Sequence, residues 1–353
     1  MTTYIIYSTI ITVIISTILL YIFLKKHNYS SETSLISTIL FITSTSLTLH
    51  SHRHIMFINY LPFVILGLFG IDKKLDDNKG WLLTISIFLT IMSSYYFSIC
   101  GIGCLMIYGI YHYLTNMKKP TVKSFIVNLQ SLLLPTIVAI VMSFILLLPT
   151  FATLIGNRLE SFNTITLADL FTINNPKYYL YYTYGLGLTA IIVPSMINNF
   201  KNGKQNIFLS TVLTLFMSVP IFNYLLNGTM YIDAKILIPL LPLYILVIAN
   251  FLKDVFDNKI NYKLLIPITV FISFFIIRKF NDIEPSLMAV FIVDMIILLV
   301  TLLLYNCTNK KVLLITPIVA FATITCIVSN KTDTLALKYT EEQNESIIKD
   351  SIN

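Results

Sequence analysis

The chain has 353 residues, of which 56% are hydrophobic and only 12% charged, with a formal net charge of +7. Soluble domains carry about a quarter charged residues, so this composition excludes a single water-exposed globule. The basic balance reflects lysines in the loops of a membrane protein and gives no reason to expect a nucleic-acid partner.

Apolar stretches fall at 4–24, 34–49, 56–71, 81–97, 99–115, 124–149, 181–197, 207–226, 235–252, 264–280, 286–305 and 312–329. A perpendicular crossing of ~30 Å of hydrocarbon takes about 20 residues, so the shorter stretches predict tilted, broken or re-entrant segments, 81–115 above all. The prolines inside them, Pro62, Pro135, Pro239 and Pro242, are tolerable where neighbouring helices satisfy the freed backbone groups. The fold class expected is all-α, a polytopic transmembrane bundle of about 12 spans. Residues 1–329 form one transmembrane helical domain, and residues 330–353 a short polar extracytoplasmic tail with Glu341, Glu342, Glu345 and Asp350. The first stretch lacks a basic residue ahead of its apolar run and is long for a signal peptide.

Orientation follows from counting Lys and Arg in alternate loops. Loops after odd-numbered stretches hold fifteen, among them Lys25, Lys26, Lys73, Lys74, Lys253, Lys310 and Lys311, and the opposite loops hold six. This asymmetry predicts a cell-membrane protein with lysine-rich loops inside and both termini outside the cytoplasm. Cys100, Cys104, Cys307 and Cys326 form no metal-type or CxxC spacing.

The residues able to carry chemistry gather on the outer side. The loop at 150–182 holds Arg158, Glu160, Asp169 and Lys177 and runs into Tyr178, Tyr179, Tyr181, Tyr182 and Tyr184. These rings read as an interfacial belt or as a platform for a sugar or lipid headgroup, with Glu160 or Asp169 as polar partner. His50, Arg53 and His54 lie where the second stretch emerges. They suit either a phosphate, which an Arg fork binds through paired donors, or a solvated turn with Arg53 snorkelling to headgroups. Asp233 and Lys235 open the ninth stretch. They read as a plain interfacial ion pair or, since they are about 6.5 Å apart if extended and poorly opposed if helical, as groups that act separately on a substrate phosphate, hydroxyl or divalent metal ion. Asp294 interrupts an apolar run and is either a functional carboxylate or the acceptor of a neighbouring Tyr, Ser or Asn.

Four segments carry a resemblance: 50–63, beginning His-Ser-His-Arg-His; Ser94–Gly101 with Ile107–Leu114; Thr183-Tyr-Gly-Leu-Gly-Leu-Thr189; and Asn227–Pro239, which contains Tyr-Ile-Asp-Ala-Lys. In this order they resemble the YfhO family of bacterial polytopic membrane proteins, over about residues 50–244. The resemblance implies a fold similar to the GT-C membrane glycosyltransferases, which take a sugar from a polyprenyl-phosphate donor and transfer it outside the membrane. The implied acceptor is a cell-surface polymer such as teichoic or lipoteichoic acid. By position, Arg53, His50, His54 and Lys235 would hold the carrier phosphate in an outer cavity and Asp233 would serve as acid–base.

The sequence departs from that pattern in two ways. Relatives of this kind are longer beyond the last span, and GT-C enzymes carry an acidic residue in their first outer loop. Here the leader is Met1-Thr-Thr and the next outer loop is basic. The expectation is a major fragment of such a transferase, its upstream segment separately encoded. The alternatives are a secondary transporter or lipid flippase, which Asp294 would favour, and a non-catalytic membrane partner of a split gene.

Overall fold

The computed structural model describes residues 2–116, 121–157, 165–229, 231–283 and 285–331. Arg158 and Glu160 lie outside the described residues, as does nearly all of the polar tail. The described residues are all-helical, without a named strand. In chain order the helices are α1 (Thr2–Lys26), α2 (Ser31–Ile42), α3 (Thr45–His52), α4 (Leu61–Asp77), α5 (Trp81–Ser93), α6 (Tyr95–Asn116), α7 (Val122–Met142) and α8 (Phe144–Asn157). They continue as α9 (Leu167–Leu170), α10 (Ile192–Asn199), α11 (Gly203–Ser218), α12 (Pro220–Leu226), α13 (Leu241–Phe256), α14 (Tyr262–Ile283), α15 (Pro285–Thr308) and α16 (Lys311–Lys331). Three short 3-10 turns at Ile55–Phe57, Pro176–Tyr178 and Ala234–Leu240 join them.

Among the described residues, eight helical segments are long and apolar enough to cross a membrane. Two bent pairs, α2 with α3 at 53° and α11 with α12 at 84°, raise the number to ten. A multi-pass membrane protein follows from these lengths and compositions. Helix α5 has 13 residues, about 20 Å. It nevertheless runs beside most of α4, because Gly70 lets the α5 backbone at Leu83 come within the space a Cβ would fill, and Asn59 Nδ2 donates to Ser93 O at 3.1 Å at the far end. Of the prolines expected inside spans, only Pro135 interrupts a helix. Pro62 and Pro242 sit in first turns, where no backbone donor is lost, and Pro239 lies in a 3-10 turn.

The bundle has a lysine-rich end and an opposite end. Helices α1, α4, α13 and α15 all stop at the lysine-rich end on an asparagine in the left-handed region: Asn28, Asn78, Asn258 and Asn309, with φ of 53–59°. Asn is among the few non-glycine side chains that take this conformation cheaply, which explains the recurrent Asn beside Lys in these turns. Ion pairs knit that end together, Lys26 to Asp72 at 2.8 Å and Lys311 to Glu32.

The expected span at 181–197 is not one helix. Its first half is an irregular loop, 178–190, folded into the bundle, and only Ile192–Asn199 is helical. Leu180, Tyr181, Leu186, Leu188 and Ala190 are all buried. A loop at such depth must have its backbone groups satisfied by protein. The break between α2 and α3 supplies the partners: Thr45 N donates to Gly187 O at 3.0 Å, Thr45 Oγ1 to Tyr181 O at 3.0 Å, and Ser46 Oγ to Leu186 O at 3.0 Å. Within the loop Leu180 and Leu188 form an isolated bridge.

Candidate functional site

His50 is on the last turn of α3 and is fully buried, which excludes a solvated turn for this residue. Its ring stacks on Phe57 at 4.3 Å and meets Tyr184 edge-on at 5.1 Å. Neither ring nitrogen makes a well-formed hydrogen bond among the described residues, the backbone of Thr183 being a polar neighbour. His54 lies 5.7 Å from His50, ring to ring. Arg53 caps α3 with its backbone N–H on Leu49 O, and its side chain is half-buried. No group of three or more His, Cys, Asp or Glu suited to a metal ion exists among the described residues.

Asp233 caps the 3-10 turn Ala234–Leu240, accepting from Lys235 N at 3.1 Å. The cap folds the chain back, so Lys235 Nζ reaches Asp233 Oδ2 at 3.6 Å. The two charges therefore do face each other, as the ion-pair reading allowed and a purely extended or helical segment would not, because the backbone changes from extended to 3-10 between them. Lys235 also stands over the rings of Tyr231 and Tyr96, at 4.9 and 5.7 Å. Tyr96 Oη donates to Asn227 Oδ1 and meets Tyr231 Oη at 2.7 Å. Asn227 Nδ2 in turn donates to Asp233 O at 3.0 Å.

A chain of ring contacts links the two expected groups. Rings run from Tyr96 to Phe97 at 4.8 Å, to Phe57 at 5.0 Å and to His50 at 4.3 Å. Asp169 does not join them. It is exposed, and its carboxylate accepts from Thr166 N and Oγ1 in a capping box on α9. These bonds hold its carboxyl below the usual range and give it a structural task. A separate apolar groove of about 400 Å³ lies between α10, α11 and α14, lined from Tyr179 to Lys201.

Asp294 is buried in α15. Its Oδ2 accepts from Tyr181 Oη at 2.5 Å and from Ala190 N at 2.6 Å. The partner is a tyrosine, as one reading of the sequence allowed, but it comes from the inserted loop rather than from a neighbouring helix. Asp294 thus pins both ends of the segment that presents Tyr184 to the histidines.

Sequence reasoning missed a second polar centre at the lysine-rich end. Asp72 is 1% exposed and meets Lys26 Nζ at 2.8 Å, Tyr108 Oη at 2.7 Å, His27 Nε2 at 3.5 Å and His112 Nε2 at 3.5 Å. Read as a loop charge beside Lys73 and Lys74, it is in fact within α4. The signal was available: Leu61, Val64, Ile65, Leu68 and Ile71 mark a helical face, and Asp72 falls on it. Comparison with protein-family models, curated proteins and solved structures finds no match to this chain.

Proposed function

We propose that this protein is a YfhO-like, GT-C-like membrane glycosyltransferase, or the major part of one. It takes a sugar from a polyprenyl-phosphate donor and passes it to a cell-surface polymer. The observation that carries the reading is the Asp233–Lys235 pair under the rings of Tyr231 and Tyr96, linked ring by ring to His50 and His54, together with an apolar groove of lipid-chain character between α10, α11 and α14. A polyprenyl chain would lie in the groove, its phosphate would meet Lys235 and Arg53, and rings such as Tyr231 and Tyr184 would stack on the sugar. In inverting transfer the acceptor hydroxyl attacks the anomeric carbon, its proton goes to a carboxylate, and the carrier phosphate leaves. Asp233 is the carboxylate of the cluster and takes that role, Lys235 balancing the departing phosphate. A divalent metal ion would add charge to the leaving group, but the carboxylates and histidines here form no ligand set for one.

Substitutions separate the roles. Lys235→Ala should weaken binding of a labelled polyprenyl-phosphate sugar about tenfold or more, the worth of one charge-assisted bond. Asp233→Asn keeps the cap, since Asn caps as well as Asp. It should leave binding intact while lowering transfer by about 10²–10⁴-fold, measured with any separately encoded upstream segment present. Unchanged transfer in Asp233→Asn would remove the acid–base assignment, and unchanged binding in Lys235→Ala would remove the donor site.

The reading also places this cluster outside the cell. With α5 and the loop–α10 segment each counted as a pass, the chain crosses twelve times with both ends outside. In a background lacking the exposed Cys307, a membrane-impermeant thiol reagent applied to intact cells should label Thr172→Cys and spare Asn78→Cys. The reverse pattern would put the cluster in the cytoplasm and end the proposal.

A further inference from the structure

Two polar cavities adjoin at the lysine-rich end, sharing Asn28, Tyr29 and Lys253. The first, of about 460 Å³, is a basic vestibule with Lys25 from α1, Lys253 from α13 and Lys311 from α16 on its walls, and Ser30 and Thr33 beside them. Its one carboxylate, Asp257, is occupied by Lys259 at 2.8 Å, and Lys311 is paired with Glu32. Lys25 and Lys253 have no ion pair among the described residues. Lys25 Nζ donates to Tyr29 O and Ser31 Oγ, at 3.3 and 3.1 Å, and Lys253 lies over the Tyr29 ring at 5.2 Å. Asp254 lies near Lys253 without an ion pair to it, and two ammonium groups around one cavity repel each other unless an anion enters.

The second cavity, of about 440 Å³, continues inward and is different in kind. Asn116, Gln205, Asn206 and Asn250 line it with amides, and Tyr108 and Tyr111 with phenols. Amides that both donate and accept match hydroxyl groups, which also do both. The Asp72 centre forms its wall and is internally neutralised, since Lys26 and the two histidines face that carboxylate. Asp76 on the same wall meets His112 at 3.5 Å, so the ammonium groups without an ion pair are Lys25 in the vestibule and Lys253, which lines both cavities.

From this pairing we infer that the lysine-rich end binds a phosphate ester carrying a small hydroxylated group. The phosphate sits among Lys25, Lys253 and Lys311, and the hydroxyls enter the amide-lined compartment. Both compartments are of the size that holds small ligands. Two sources supply this chemistry: a phospholipid with a phosphoglycerol headgroup, or a soluble glycerol or sugar phosphate. The site is at the opposite end of the bundle from the Lys235 cluster and does not rest on the function proposed for it.

The test uses the full chain in neutral detergent, following its thermal unfolding midpoint during titration. Phosphatidylglycerol should raise the midpoint saturably, and phosphatidylcholine should not. If glycerol 3-phosphate saturates at the same concentration as the lipid, the ligand is soluble; if only the lipid acts, the ligand is a headgroup. Each lysine near an anionic headgroup contributes about 1 kcal/mol, or about fivefold. Combining Lys25→Gln with Lys253→Gln should therefore raise the half-saturating concentration about 25-fold. The Arg pair, Lys25→Arg with Lys253→Arg, should keep binding and guards against a folding defect. Lys263→Gln, at the same end but lining neither cavity, should change nothing. Equal shifts with phosphatidylcholine, no shift with any phosphate, or an unaltered Gln pair would each overturn the inference.

Discussion

Gly187→Ala is expected to cost about 3–5 kcal/mol, enough to unseat the buried loop from the bundle. Gly187 has φ +61°, a region where an alanine is strained. Its added Cβ would also fall 2.6 Å from Ser46 N and closer still to the Thr45 hydroxyl. These are groups of the break between α2 and α3 that hold the loop, so no flexible side chain can yield. Gly103→Ala in α6 is the matched control. A Cβ there meets nothing within 4 Å, and alanine gains up to about 1 kcal/mol over glycine in a helix. Thermal unfolding of the two variants in detergent should move in opposite directions. Equal midpoints would mean that the loop is not packed against α3 as described.

Asp294→Ala should cost a similar amount, about 3–5 kcal/mol, because it strands Tyr181 Oη and Ala190 N–H in a buried setting. Removing a carboxylate from a span also eases insertion, by about 2.5–3.5 kcal/mol on translocon scales. That gain does not rescue the fold, since α15 is already the most hydropathic of the spans at 3.0 and inserts readily. Asp294→Asn is expected to be mild, about 1–2 kcal/mol, because both donors converge on one oxygen that an amide oxygen can replace. The comparison separates anchoring from proton coupling. A carboxylate that cycles a proton cannot be replaced by an amide, so an Asn variant that is inserted, stable and inactive would transfer the weight to a transporter.

Much of the helical frame was legible in the apolar periodicity, and the lysine asymmetry separates the two ends of the bundle. What hydropathy could not resolve was 181–197, since Leu186, Leu188, Ala190 and Ile191 are as apolar as any span residue. Only the glycines signalled otherwise: a Cβ on Gly185 would fall 2.8 Å from the Tyr178 carbonyl carbon and nearer its oxygen. The resemblance alone grouped His50 with Lys235; the path between them runs through Phe57, Phe97 and Tyr96, ordinary core rings in sequence. The Asp233–Lys235 contact depends on a 3-10 cap that spacing rules for strands and regular helices do not include. Asp72 was lost to its charged neighbours, which made the last turn of α4 look like a loop.

The anchoring of the loop by Asp294 has a consequence for how the chain is made. Tyr181 and Ala190 precede their acceptor by 113 and 104 residues, so a ribosome has delivered α10 to α14 before the carboxylate exists. Until α15 inserts, the loop holds its contacts to Thr45 and Ser46 but carries a phenol and an amide without their final partner. The ring-linked cluster is therefore completed late in biogenesis, by a residue that touches none of its charges. Chains halted between residues 200 and 285 should display the 178–190 segment to proteases that spare the finished protein.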